Sequence, residues 1–176
     1  MTHQLNFIYN DSDWIAPAEY PDLSQATEIA IDLETKDPNI KTKGPGWATF
    51  DGHIVGFAVA ALGQQWYFPI AHDAGGNMDL SITCAWMQDI LKTDATKIFH
   101  NASYDVGWLL VNGFEIRGKI VDTMIAAAII NENRFSFSLN ACAKDYLGEI
   151  KNETFLNEKA KEWGIDPKAD LWKLPA

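Results

Sequence analysis

The stretch Ile29-Ala30-Ile31-Asp32-Leu33-Glu34-Thr35 constrains this chain more than any other. Its residues alternate in character, and a strand points successive side chains to opposite faces. Ile29, Ile31 and Leu33 therefore share a face suited to a core. Ala30, Asp32 and Glu34 share the other. Two acids side by side at a strand end are what a hard divalent cation takes as ligands. They are equally the solvated face of a half-buried strand. Whether they form a site depends on a second stretch.

The chain has room for that stretch and for a core. Its 176 residues suit one domain. Hydrophobic residues make up 47% and charged residues 22%, the balance of a globular protein. No apolar run is long enough to span a membrane, and the N-terminus lacks a basic-then-apolar signal. The expected location is the cytoplasm. Cys84 and Cys142 lack metal-ligand spacing and read as reduced core residues. The formal charge of −10 argues against a stand-alone, high-affinity nucleic-acid binder, because such binding rests on Lys and Arg neutralising phosphates. It does not argue against an enzyme whose acids hold metals.

Periodicity supplies the elements. After irregular residues, with a possible strand over Gln4–Tyr9, the first strand covers about 27–34. A loop rich in Pro and Gly follows over 36–52. The stretches 53–62 and 65–71 make two further strands, so the first three form a meander, with Pro69 marking an edge or an end. Residues 79–92 have helical spacing and can be capped by Asp79 or Ser81. Strand 97–100 and helix 102–111 come next. A strand over 116–121 leads to helix 123–130, opened by Asp122, and helix 138–147, closed by Gly148. The tail, 152–173, is helical in pattern but polar. The order predicts an α/β protein with a mixed central sheet flanked by helices.

The second stretch is Phe99-His100-Asn101-Ala102-Ser103-Tyr104-Asp105, running from a strand end into a helix. Asn101 and Asp105, four residues apart, share one face near the helix start. Taken alone, Asp105 can simply favour the helix dipole and Asn101 can simply cap it. The joint pattern is more specific. Asp-x-Glu-Thr ends a strand, Asn-x-x-Tyr-Asp opens a helix some 70 residues on, and Asp122-Thr123-Met124 opens another 17 residues after Asp105.

This combination resembles the DEDD superfamily of 3′–5′ exonucleases. Asp32-Leu33-Glu34-Thr35 matches its first motif, and His100 to Asp105 with Leu109 matches its second. The wording is most similar to the proofreading exonuclease domain of family A DNA polymerases, of bacterial and phage kind. Asp37-Pro38 to Gly46-Trp47, Asp51 to Gly56 and Phe137-Ser138-Leu139 add to the likeness, which covers roughly residues 25–150. It implies a ribonuclease H-like fold, with residues 1–24 as an N-terminal extension and 25–176 as the exonuclease domain. It also implies phosphodiester hydrolysis at the 3′ end of single-stranded DNA, two divalent cations (Mg²⁺ or Mn²⁺), and a polymerase domain C-terminal to this one. In that scheme Asp32 bridges both metals, Glu34 holds the metal that activates water, and Asp105 holds the second, through water. Thr35, Asn101 and Tyr104 shape the pocket for the last nucleotide. Asp122 caps its helix or supports the site from behind. His100 is expected to pack or bond at its strand end. Trp47 and Phe50 can stack on bases or anchor their loop.

One motif is missing. The family carries Tyr-x-x-x-Asp or His-x-x-x-x-Asp on a late helix. Here Tyr146 is followed four residues later by Ile150, and no histidine lies beyond His100. The expectation is that the motif lies past Ala176, leaving this fragment C-terminally incomplete and weak or inactive as a nuclease. Two other functions stay open: an RNA exonuclease similar to ribonuclease D, and a non-catalytic module of the same fold. Intact Asp32, Glu34 and Asp105 argue against the latter.

Overall fold

A computed structural model describes residues 15–149, 154–167 and 169–175. The strand expected over Gln4–Tyr9 lies outside them. The first strand, β1 (Glu28–Lys36), keeps its expected alternation. Ile29, Ile31 and Leu33 are buried, while Asp32 is exposed and Ala30 and Glu34 are half-buried. Burying each of those three apolar side chains contributes roughly 1.5–3 kcal/mol, which fixes the register and with it the face the acids occupy.

The meander is present. β2 (His53–Ala61) pairs antiparallel with β1, and β3 (Gln64–Pro69) pairs antiparallel with β2 and ends at Pro69. The expected loop between β1 and β2 is not bare. It carries two single-turn helices, α1 (Ile40–Lys43) and α2 (Gly46–Thr49). They are too short for helical periodicity to register, and the Pro and Gly around them read as pure loop.

The rest alternates. α3 (Leu80–Leu91) starts at Asp79, whose side chain accepts from Ile82 N. β4 (Thr96–Phe99) leads into α4 (Ala102–Val111), which leads into β5 (Ile120–Asp122). α5 (Thr123–Ile130) and α6 (Leu139–Leu147) follow. α7 (Thr154–Trp163) stops at Gly164, so the polar tail is not one helix, and a 3-10 turn occupies Leu171–Lys173. Sheet order is β3-β2-β1-β4-β5, with β4 parallel to both its neighbours. The sheet is therefore mixed, as expected, and β1 is its centre.

The core lies on the Leu33 side of β1. Ile29, Ile31 and Leu33 join Phe57, Val59 and Phe68 of the sheet, Met87 and Leu91 of α3, and Trp108 and Leu109 of α4. Leu23 is buried there too, and Tyr20 stacks on Phe68. The other side of the sheet opens on a cleft of about 700 Å³, lined by Asp32 together with Ala30, Ala58, Tyr67, Ile98 and His100. Cys84 and Cys142 are free thiols. Among the described residues, no helix is long and apolar enough to cross a membrane.

Candidate active site

The site is built where β1 outruns β4. Their pairing stops at Ala30 and Ile98. Beyond it, the Leu33 N–H donates to Asp105 Oδ1 at 3.0 Å. A strand N–H left without a ladder partner must find another acceptor, and the first turn of α4 supplies it. This one bond joins the two sequence motifs and puts Asp105 between Asp32 and Glu34 in sequence register.

Asp105 is 3% exposed. Burial pushes its carboxyl up to about 7, and the charge of Asp32 adds to the rise. The N–H groups of Leu33 and of Asp105 itself pull the other way, and Glu34 pushes it up again. Asp32 and Glu34 thus raise the cost of ionising Asp105, the kind of field that a cation can neutralise. Among the described residues, however, no group of three or more His, Cys, Asp and Glu side chains is gathered closely enough to hold a metal ion. The donors are oxygen-only, as Mg²⁺ and Mn²⁺ prefer, and Mg²⁺ keeps several waters that can span a loose set.

The other expected residues divide. Thr35 Oγ1 and Tyr104 Oη lie 2.7 Å apart, so the two motifs meet a second time. Asn101 sits in the left-handed region at φ 70° and makes no side-chain cap bond; its Oδ1 accepts from Ser103 Oγ. The capping role for Asn101 is thus not realised. Asp122 takes that work instead. Its Oδ1 accepts from Met124 N at 2.9 Å and Asn101 N at 3.2 Å, and its Oδ2 accepts from Ala102 N at 2.8 Å. Burial raises the Asp122 carboxyl, but four backbone N–H groups outweigh it and hold the group below its ordinary range. Asp122 both caps α5 and binds the start of α4. His100 bonds Thr123 Oγ1 and the Phe137 carbonyl, each at 2.9 Å, which ties the strand end to the chain ahead of α6.

Two contributors escaped the sequence reading. Tyr67 lies on the acidic face, across Gly56, the strand partner of Glu34. A Cβ on Gly56 would come within 2.2 Å of the Tyr67 hydroxyl. Burial, then the charge of Glu34, push the Tyr67 phenol far up. Its hydroxyl bonds His72 Nε2 at 2.6 Å, and His72 Nδ1 meets the Leu174 carbonyl at 3.0 Å. A glycine inside a strand often marks such a close approach, so Gly56 was the available signal. Asp37 is the second; its Oδ2 accepts from Tyr104 Oη at 3.0 Å. Trp47 is an anchor, packed on Gly107, whereas Phe50 is exposed.

Among the described residues, a mixed five-stranded sheet with acids on its central strand has a ribonuclease H-like layout. The chain belongs to the 3′–5′ exonuclease family of A-type DNA polymerases, which it matches over residues 18–174. A DNA-directed DNA polymerase of Pseudomonas phage M6 is 35% identical over 97% of this chain, and the match covers 27% of that protein. The chain thus spans about a quarter of that relative's length. Among solved structures, Brucella melitensis NrnC with bound Mg²⁺ is similar at TM-score 0.54 and 18% identity, over 76% of this chain and 59% of that one. Pol1 of M. smegmatis, in complex with DNA primer-template, is similar at TM-score 0.54 and 19% identity, over 74% and 20%. Escherichia coli RNase D is similar at 0.53 and 17%, over 86% and 37%. These likenesses bear on the fold.

Proposed function

We propose that Asp32, Glu34 and Asp105 are the catalytic carboxylates, that they hold two divalent cations, Mg²⁺ or Mn²⁺, and that the chain is part of an exonuclease acting on single-stranded DNA 3′ ends, itself weak or inactive without the family's third motif. In this reading it is the proofreading part of a longer polymerase and works in the cytoplasm. The observation that carries it is Asp105. It is buried against the Leu33 amide and driven up to about 7, in part by Asp32 and Glu34. Structural carboxylates in folds are normally arranged the other way, with partners that favour the charge.

The cations, when bound, stabilise charge on the attacking and leaving oxygens of the phosphodiester. The chain's own residues do the rest. Asp32 and Glu34 present oxygens from the exposed face of a strand whose other face is locked in the core. Asp105, one oxygen already accepting from the Leu33 N–H, would help hold a cation with its other oxygen. Thr35, Asn101 and Tyr104 hold the terminal nucleotide. The DNA preference follows the polymerase relative, and an RNA preference follows the fold neighbour RNase D, at lower identity.

The test compares the chain with D32A in Mn²⁺ calorimetry, and on matched 5′-labelled DNA and RNA oligonucleotides. The expected result is Mn²⁺ binding that D32A weakens at least about 100-fold, with at most weak shortening of DNA from the 3′ end, which D32A abolishes. Equal Mn²⁺ binding by both proteins would sink the metal-site reading. Faster digestion of RNA would transfer the substrate to the second reading.

A further inference from the structure

Thr35, Tyr104 and Asp37 form a chain of hydroxyls whose proton order can be worked out. A carboxylate only accepts, and the Tyr104 hydroxyl donates to Asp37 Oδ2 at 3.0 Å. A phenol has one proton, so it has none left for Thr35. The 2.7 Å contact between Thr35 Oγ1 and Tyr104 Oη must therefore run from Thr35 to Tyr104. The Thr35 proton is committed in turn, and its hydroxyl offers any further ligand lone pairs only.

Asp37 is itself held. Its Oδ2 also accepts the Gly46 N–H at 2.9 Å, which ties the loop after β1 to the hydroxyl chain. That loop is pressed on α4, because Trp47 lies where a Cβ on Gly107 would meet its ring at 2.4 Å. Asp37 Oδ1 is buried and has no hydrogen-bond partner among the described residues. Leaving a buried carboxylate oxygen unpaired costs stability, and such a cost points to a role other than packing.

We propose that Asp37 is a positioning residue for the nucleotide pocket: it fixes the order Thr35→Tyr104→Asp37, so that Thr35 meets the terminal nucleotide as an acceptor. The inference rests on the reading of Thr35 and Tyr104 as pocket residues. The hydrogen bonds of Asp37 run to Gly46 and Tyr104, and in this scheme Asp37 does not meet the substrate. It acts through Tyr104. The ligand group that Thr35 takes is a donor, such as a sugar hydroxyl, and an anionic 3′-phosphate is disfavoured there.

The test measures equilibrium binding of a single-stranded DNA oligonucleotide to the full chain in Ca²⁺, with 3′-hydroxyl and 3′-phosphate versions, alongside Mn²⁺ calorimetry. D37A is expected to weaken binding of the 3′-hydroxyl strand about tenfold and to erase the preference over the 3′-phosphate strand, with Mn²⁺ affinity retained. D37N keeps an acceptor toward both Tyr104 and Gly46, and is expected to restore binding. Y104F and D37A combined are expected to cost no more than the larger single effect, because both break the same chain. Y104F with D37N keeps the test open if D37A does not fold. Additive losses, or a D37N variant as weak as D37A, would overturn the proposal while leaving the pocket reading in place. Failure of the unmutated chain to bind either strand would instead overturn the pocket reading, and this inference with it.

Discussion

Asp105 and Asp122 are the same residue near the starts of successive helices, and the fold uses them in opposite ways. Asp122 faces four N–H groups, from Asn101, Ala102, Met124 and Ile125, that favour its charge. Asp105 faces the Leu33 amide, its own N–H and two like charges, and is buried. The first arrangement stabilises the protein and leaves the carboxylate nothing to gain from a cation. The second weakens the folded protein near neutral pH, because the Asp105 carboxyl is raised to about 7. A helix-start aspartate therefore says little by its position; what it faces decides between clamp and ligand.

Substitution sharpens the contrast, and removing the clamp is expected to have the larger effect. D122A strips the caps of α5 and the tie to α4, and is expected to lower unfolding free energy by about 2–4 kcal/mol in urea titration. Mn²⁺ binding by the folded remainder should persist. D105N keeps an acceptor for Leu33 N–H and removes the disfavoured charge. It is expected to stabilise the cation-free protein by roughly 1–3 kcal/mol at pH 8 while weakening Mn²⁺ binding. A D105N variant less stable than the parent at that pH would show that Asp105 is a structural acid, and the comparison would break.

The pH dependence separates the two further. The folded-state pKa of Asp105 is raised to about 7. Its contribution is thus complete below an unfolded pKa of about 4 and is lost as pH rises through about 7, by up to about 4 kcal/mol. Asp122 is lowered, so its contribution is present above about 4 and is lost as pH falls. Metal-free D105N should consequently show a flatter stability profile between pH 5 and 8 than the parent, read by denaturant midpoints. The smallest effect expected is in melting temperature. Mg²⁺ should raise it by a few degrees at pH 8 and less at pH 5, where Asp105 is protonated and a cation must displace that proton.

Much of this was legible in the sequence because it rests on period and spacing. The alternation in β1 set which face the acids take, and the helix start at Ala102 set which face Asp105 takes. The Asp122 cap was legible from its place before an apolar helix. The parts that were not legible depend on contacts between distant side chains. Nothing in the spacing of Tyr67 reveals that its ring crosses Gly56 beside Glu34. Asp37 read only as part of a Pro- and Gly-rich loop, and its bond to Tyr104 joins residues 67 positions apart. Lys97 began an expected strand, yet its fully buried ammonium donates to the Arg117 and Thr93 carbonyls, a latch no pattern announces. The turns α1 and α2 were hidden by their length.

Asp105 is a metal ligand only if it shares with Asp32 and Glu34 a field that a cation neutralises. Carboxyl-carbon NMR titration of Asp105, without and with Mg²⁺, reads this directly. The predicted result is a midpoint about 7 in cation-free protein that falls by at least about two pH units with saturating Mg²⁺. A midpoint near about 4 that Mg²⁺ does not move would mean an ordinary carboxylate at a helix start, and would contradict the assignment of these three acids as the catalytic centre.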